Sequence, residues 1–162
     1  MTVILIDGPS GSGKTALAER MRAGWVGGDR PTLVHLDDIY PGWDGLEAAS
    51  AQLVTELLEP LRAGRPAGWR RWEWAADTAA EWHGVDPAHP LIVEGCGAMS
   101  RRAVALADLC VWVEADEVER KRRALERDGE LYAREWERWD AQWRAFVARE
   151  QPRAAATFVV PT

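Results

Sequence analysis

Eight residues near the beginning of the chain, Gly8-Pro9-Ser10-Gly11-Ser12-Gly13-Lys14-Thr15, meet the spacing G-x-x-x-x-G-K-[S/T]. These residue types suit the binding of a polyphosphate. Glycines allow successive backbone N–H groups to turn toward phosphate oxygens, and a helix starting at the end of the loop adds its positive terminus. Lys14 is placed to reach the β- and γ-phosphates, and the Thr15 hydroxyl to help hold Mg²⁺. Gly8, Gly11, Ser12, Gly13, Lys14 and Thr15 are therefore the expected nucleotide-binding residues. Only Lys14 and Lys121 are lysines among 20 Lys and Arg, so finding one of them at this position is informative.

Phosphoryl transfer needs more than a cradle. It needs a base beside the accepting hydroxyl, an acid that organises the metal, and cations that meet the charge in transit. Candidates stand where apolar, strand-like runs end. Asp37 and Asp38 close one run in His35-Leu36-Asp37-Asp38-Ile39-Tyr40, and Glu94 closes another in Ile92-Val93-Glu94-Gly95. Asp37 is the expected base, with Asp38 the second choice. Glu94 joins Thr15 on the metal side, because a carboxylate ending an apolar strand costs desolvation unless it serves a cation. Arg120, Arg123 and Arg127 fall at i, i+3 and i+7, a spacing that would aim all three at one anion, although such runs are also common on solvated helix faces. His35 reads as an ordinary strand residue, and Asp44 as the cap of the helix that follows it.

The elements that must position these residues alternate. Thr2 to Asp7 reads as a buried strand, Lys14 to Ala23 as a helix, and Thr32 to Asp37 as a second strand. Leu46, Ala49, Leu53, Leu57 and Leu61 keep helical spacing, and Gly64 to Gly68 reads as the loop that ends that helix. Then come a strand at Leu91 to Glu94, a helix at Arg101 to Ala107 and a strand at Leu109 to Glu114. Helices over Asp116 to Arg127 and Glu130 to Arg149 precede a last strand at Thr157 to Val160. Such alternation predicts an α/β fold in three layers, with a five-stranded parallel sheet covered on both faces. Tyr132, Trp136, Trp139, Trp143 and Phe146 share one helix face and read as core. The segment Trp69 to Asp86 fits a short strand, a loop or part of a lid, and its tryptophans are equally open to packing or to stacking on a ligand.

Composition narrows the classes. A chain of 162 residues, with 47% hydrophobic and 28% charged residues, is sized and composed for one globular domain, 1–162. A net charge of -6 speaks against a nucleic-acid partner, and no apolar run approaches the roughly 20 residues of a membrane span. The strand at residue 2 leaves no room for a signal peptide, so a cytoplasmic location is expected. Cys96 and Cys110 make neither a disulfide framework nor a metal quartet. The strings N-K-x-D and D-x-x-G of a GTPase switch do not occur, nor does an ABC-type signature.

These segments together resemble the uridine kinase-like branch of the P-loop nucleoside and nucleotide kinases. "LDDIYPGWD" is similar to that family's strand-end motif, whose first Asp is the catalytic base, here Asp37. "LIVEGCGA" resembles the segment whose Glu supports Mg²⁺ through water, here Glu94. "DLCVWVEADEVERKRRALERD" resembles the next strand and a helical lid around 118–134, with Arg120, Arg123 and Arg127 as nucleotide contacts and Arg134 in the place of a further lid arginine. "ATFVVP" is similar to the strand leading to the adenine-contacting loop. The resemblance implies a P-loop NTPase fold of the nucleoside/nucleotide kinase type, ATP and Mg²⁺ as cofactors, and catalysis by Asp37, Lys14, Arg123 and Arg127. It implies a small-molecule hydroxyl acceptor held by Asp37, Tyr40, Trp72 and Trp74. The acceptor segment departs from the family: Trp72-Glu73-Trp74 keeps an aromatic-acid-aromatic pattern, but Asp77 and Ala79 replace a His and an Arg. A nucleoside leads as acceptor, followed by a sugar, a small alcohol or an antibiotic hydroxyl. Two alternatives stay open: a nucleoside monophosphate kinase, for which Arg70 and Arg71 would meet the acceptor phosphate, and an ATP-binding regulatory module with no acceptor.

Overall fold

The computed structural model describes residues 1–162. Strand β1 (Val3–Asp7) is buried along its whole length, and its alternation serves two cores at once. Val3 and Leu5 face a large cluster that includes Leu53, Leu57, Trp139 and Phe146. Ile4 and Ile6 face a smaller one built on Ala18 of helix α1 (Lys14–Ala23). Burial on both faces is what a continuous apolar run predicts for a central parallel strand. Strands β2 (Thr32–His35), β5 (Leu91–Glu94), β6 (Leu109–Glu114) and β7 (Phe158–Pro161) complete a five-stranded parallel sheet in the order β2-β5-β1-β6-β7. The expected α/β architecture and strand count are those observed.

The large face is covered by a continuous helical stretch and by the C-terminal half of the longest helix. The stretch runs from α2 (Leu46–Gln52) through a π-helical segment (Leu53–Leu58) into α3 (Glu59–Arg62). The π-helical segment buries Leu53, Val54, Leu57 and Leu58 together. A short helix α4 (Arg101–Val104), capped by the Ser100 hydroxyl, follows β5. Helix α5 (Glu117–Glu150) is broken at Gly129, whose φ of 71° and ψ of -157° no residue with a Cβ adopts readily, so the two helices read from the sequence are two arms joined at one glycine. The short helix α6 (Pro152–Ala155) leads to β7. No helix is long and apolar enough to cross a membrane.

Several boundaries differ from expectation. The segment Trp69 to Asp86 is a β-hairpin, with β3 (Ala67–Glu73) antiparallel to β4 (Thr78–Val85). Ala67 and Gly68 pair with Val85 and Gly84, so the expected loop ends before them. Strand β2 stops at His35, and Leu36–Asp38 turn into a single 3-10 turn, with the amides of Ile39 and Tyr40 both donating to the Leu36 carbonyl. Gly45, not Asp44, caps α2, and the Asp44 carboxylate pairs with Arg138 instead. The stretch Ala105 to Ala107 is a turn beyond α4.

Candidate active site

Parallel α/β sheets place their sites at the C-terminal strand ends, and three of those ends meet here. Asp7 leads from β1 into the glycine loop, His35 from β2 into the Asp37 turn, and Glu94 ends β5. The pairings Ile6 with Glu94 and His35 with Glu94 fix the three at one level. The loop then wraps to Lys14, whose Nζ donates to the Pro9 carbonyl at 2.9 Å and lies 3.7 Å from Cys96 Sγ. Gly11 has a φ of 79°, and a Cβ there would lie 1.9 Å from the Arg120 carbonyl, so no other residue fits this bend. Asp7 is fully buried and accepts the amides of Gly8, Gly97 and Met99, tying the loop to the turn after Glu94.

Glu94 is 3% exposed. Its Oε1 takes the Thr15 hydroxyl at 3.0 Å and lies 2.6 Å from His35 Nδ1. Burial pushes its carboxyl up, but the hydrogen bond from His35 and the Lys14 charge outweigh this and hold it below the ordinary carboxylate value. The same hydrogen bond raises His35, against the effect of its own burial. His35 is thus a positioned partner of Glu94. The sequence reading missed this, and the register of β2 against β5 is the signal that exposes it.

Asp37 stands across a cavity of about 210 Å³ whose lining includes Lys14, Thr15 and Glu94. Its side chain meets solvent through the cavity, but the surrounding walls push its carboxyl up, Glu94 adds to this, and Lys14 and Arg127 oppose it. The rest of the lining is largely aromatic. Tyr40, Trp43, Trp74, Tyr132 and Trp139 all border the cavity. Trp43 stacks on Tyr132 with centroids 5.4 Å apart and planes at 15°, and it meets Trp74 at 5.0 Å. Tyr40 packs against the edge of Trp139 at 4.6 Å. Trp74 lies just past the end of β3 and sends its indole N–H 2.9 Å to the Asp37 carbonyl, whereas Trp72 stays in the hairpin ladder opposite Ala79 and does not reach the cavity. Tyr132 and Trp139 are buried as the helix face predicted, yet they also border the cavity, a second role the periodicity does not reveal.

The arginines do not converge. Arg127 borders the cavity and holds Asp128 through Nε and Nη2. Arg120 is a correction: its guanidinium is buried 3.0 Å from Asp140 and over the Trp136 ring, because the second arm of α5 presents a buried acid that claims it. Arg123 holds Glu119 and the Thr162 hydroxyl, which in turn donates to the Ser12 carbonyl, so it flanks the loop from outside the cavity. Arg134 is exposed and away from the lining. Arg71 pairs with Glu81 and Glu73, and Arg70 lies over Trp82, so neither enters the cavity.

No family model and no curated protein matches the chain. Solved structures do match it in fold. A possible uridine kinase from Bacillus stearothermophilus aligns with a TM-score of 0.66 at 19% identity, covering 98% of this chain and 88% of that one. A candidate fructose transport system kinase from Silicibacter sp. TM1040 aligns with a TM-score of 0.56 at 18% identity, over 99% and 89%. The protein TT1252 from Thermus thermophilus aligns at 0.51 and 20% identity, over 99% and 88%. The chain thus shares the fold of these solved structures, two of which carry kinase names.

Proposed function

We propose that this protein is an ATP- and Mg²⁺-dependent kinase that transfers a γ-phosphoryl group to the hydroxyl of a small, nucleoside-like acceptor. One observation carries the reading: a single cavity is lined both by Lys14 and Thr15 of the phosphate loop and by Asp37, whose carboxyl feels the Lys14 charge. A raised carboxyl at that place is suited to take a proton from a hydroxyl, since basicity improves as the pKa climbs toward the working pH. Lys14 leaves the Pro9 carbonyl for the phosphates, and the amides of Gly11 to Thr15 hold them. The donors at Thr15 and Glu94 are hard oxygens 3.0 Å apart, the kind Mg²⁺ takes. They would hold the ion, Glu94 through water, and the bound ion would offset charge on the β- and γ-phosphates. Residues 118–134, which lie on both sides of the Gly129 break in α5, act as the lid and bring Arg127 to the moving group as it leaves Asp128, with Arg123 steadying the loop from outside.

The two alternatives gain nothing from the geometry. Arg70 and Arg71 are engaged in the hairpin, which leaves a phosphorylated acceptor without its cations. A binding module has no use for an unpaired carboxylate facing the phosphate loop.

The test is acceptor-dependent ADP release with Mg-ATP over nucleosides, nucleoside monophosphates, sugars and simple alcohols. Asp37→Asn is expected to lower turnover by about 10²–10⁴-fold while ATP still binds, and Lys14→Ala to lose both. Wild-type turnover in Asp37→Asn would remove the base assignment. ATP binding with no acceptor-stimulated release would leave a nucleotide-binding module.

A further inference from the structure

We infer that the acceptor is a flat-ringed alcohol recognised through the face of its ring, an aryl alcohol in chemical class, rather than a sugar or a base read along its hydrogen-bonding edge. The inference rests on the kinase reading above and narrows its acceptor. Beyond Asp37 the cavity is bordered by Tyr40, Trp43, Trp74, Tyr132 and Trp139, and the polar tips of three of these are already spent. The Tyr40 hydroxyl donates to the Cys96 carbonyl at 2.8 Å, the Tyr132 hydroxyl to Ser10 Oγ at 2.8 Å, and the Trp74 indole to the Asp37 carbonyl at 2.9 Å. These three offer a ligand ring carbon. Charge is committed too. Arg127 is held by both carboxylate oxygens of Asp128 and is already assigned to the moving phosphoryl group, so an acceptor phosphate or carboxylate meets no further cation in the lining apart from Lys14 of the phosphate loop.

The hairpin adds no edge-reading groups. Asp77 sits in its turn at a φ of 49°, Ala79 is in the ladder opposite Trp72, and Glu73 pairs with Arg71. Besides the indole N–H groups of Trp43 and Trp139, which are single donors only, what remains uncommitted on this wall is the Asp37 carboxylate, which needs one hydroxyl. A ring on a short hydroxylated arm satisfies the whole arrangement, its faces taken up by aromatic packing. A polyhydroxylated sugar does not, because each hydroxyl moved from water onto carbon without a partner weakens binding by about tenfold.

The experiment compares kcat/KM for 1-phenyl-1,3-propanediol, uridine, cytidine, glucose and fructose, with Mg-ATP saturating. The propanediol is expected to turn over within about tenfold of the better nucleoside or above it, uridine and cytidine to differ by less than about tenfold, and the sugars to fall at least about a hundredfold lower. Trp74→Leu lowers the propanediol value about tenfold, Trp74→Phe restores it, and neither changes ATP binding. A preference of about 10⁴ for one base is the signature of an edge-reading site and would overturn the inference while leaving the kinase intact. So would turnover of sugars without turnover of the propanediol. If nothing in the panel is phosphorylated, the kinase reading fails, and calorimetric titration of the propanediol into protein holding a non-hydrolysable ATP analogue decides the ring site separately. Saturable heat lost in Trp74→Leu sustains it, and no heat overturns it.

Discussion

Asp7→Asn gives a quantitative test of how the phosphate loop is anchored. The wild-type carboxylate is fully buried and accepts three backbone amides, at 2.7 Å from Gly8, 3.2 Å from Gly97 and 2.8 Å from Met99. Burial pushes it from 3.8 to about 6, against the opposing pull of those amides and of Lys14. Because the folded value lies above the unfolded one, the folded chain binds more protons between the two, and stability falls as pH rises through that window. Relative to a group that cannot ionise, Asp7 costs about 1 kcal/mol near pH 4.5 and about 3 kcal/mol near pH 7. The asparagine variant keeps the shape but not the charge, and it turns an amide N–H₂ toward one backbone donor, a penalty of about 1–3 kcal/mol that does not vary with pH. The stability difference between variant and wild type should therefore move about 2 kcal/mol in the variant's favour from about pH 4.5 to about pH 7. Urea unfolding of both proteins at several pH values reads this directly, since every other titrating group cancels in the difference. A difference that stays flat, or moves the other way, would mean that the three amides outweigh burial and that the loop is anchored by a charged aspartate.

His35→Ala should weaken divalent-cation binding about 10–100-fold by freeing Glu94 to rotate, and Asn in its place should recover part of the loss. Mn²⁺ binding followed by electron paramagnetic resonance in the presence of an ATP analogue checks this, and unchanged affinity would make the 2.6 Å contact incidental. Gly129→Ala meets no neighbour within 4 Å, so its expected cost of about 1–3 kcal/mol comes from the backbone alone. Its clearest sign should be faster amide exchange in the first arm of α5. Arg120→Ala should destabilise the fold by about 2 kcal/mol, less than an orphaned buried charge would, because Arg144 still holds Asp140. ATP affinity should stay within about threefold, and a larger fall would return Arg120 to the nucleotide site.

The strand-loop-helix around Gly8 to Thr15 was legible because the pattern that calls for it is local. Cradling a phosphate takes one turn of chain, and each requirement of that turn falls on adjacent residues from Gly8 to Thr15. The five parallel strands and the place of Glu94 were legible for a related reason: buried parallel strands write themselves as short apolar runs, and a carboxylate at the end of such a run is conspicuous. The strand order and the turn that carries Asp37 beyond β2 were not. Arg120 misled because a helical period shows which residues share a face but not what the face meets. Here it meets Asp140, twenty residues on, across a break that Gly129 makes in α5. His35 was unreadable because its role depends on the register between two strands far apart in the chain.

The aromatic wall shows the same limit most fully. Trp43 lies in a turn, Trp74 just past a strand end and Tyr132 on the helix arm after the glycine break, and no spacing in the sequence links them. Their contacts exist only once the hairpin and α5 have docked. That has a functional consequence. Tyr132 hydrogen-bonds to Ser10 of the phosphate loop while stacking on Trp43, and Trp74 hydrogen-bonds to the backbone of Asp37. Tyr132 and Trp74, which border the cavity, therefore also tie the α5 arm and the hairpin to the glycine loop and to the Asp37 turn. A ring packed on this wall would therefore touch side chains that join all four of these segments.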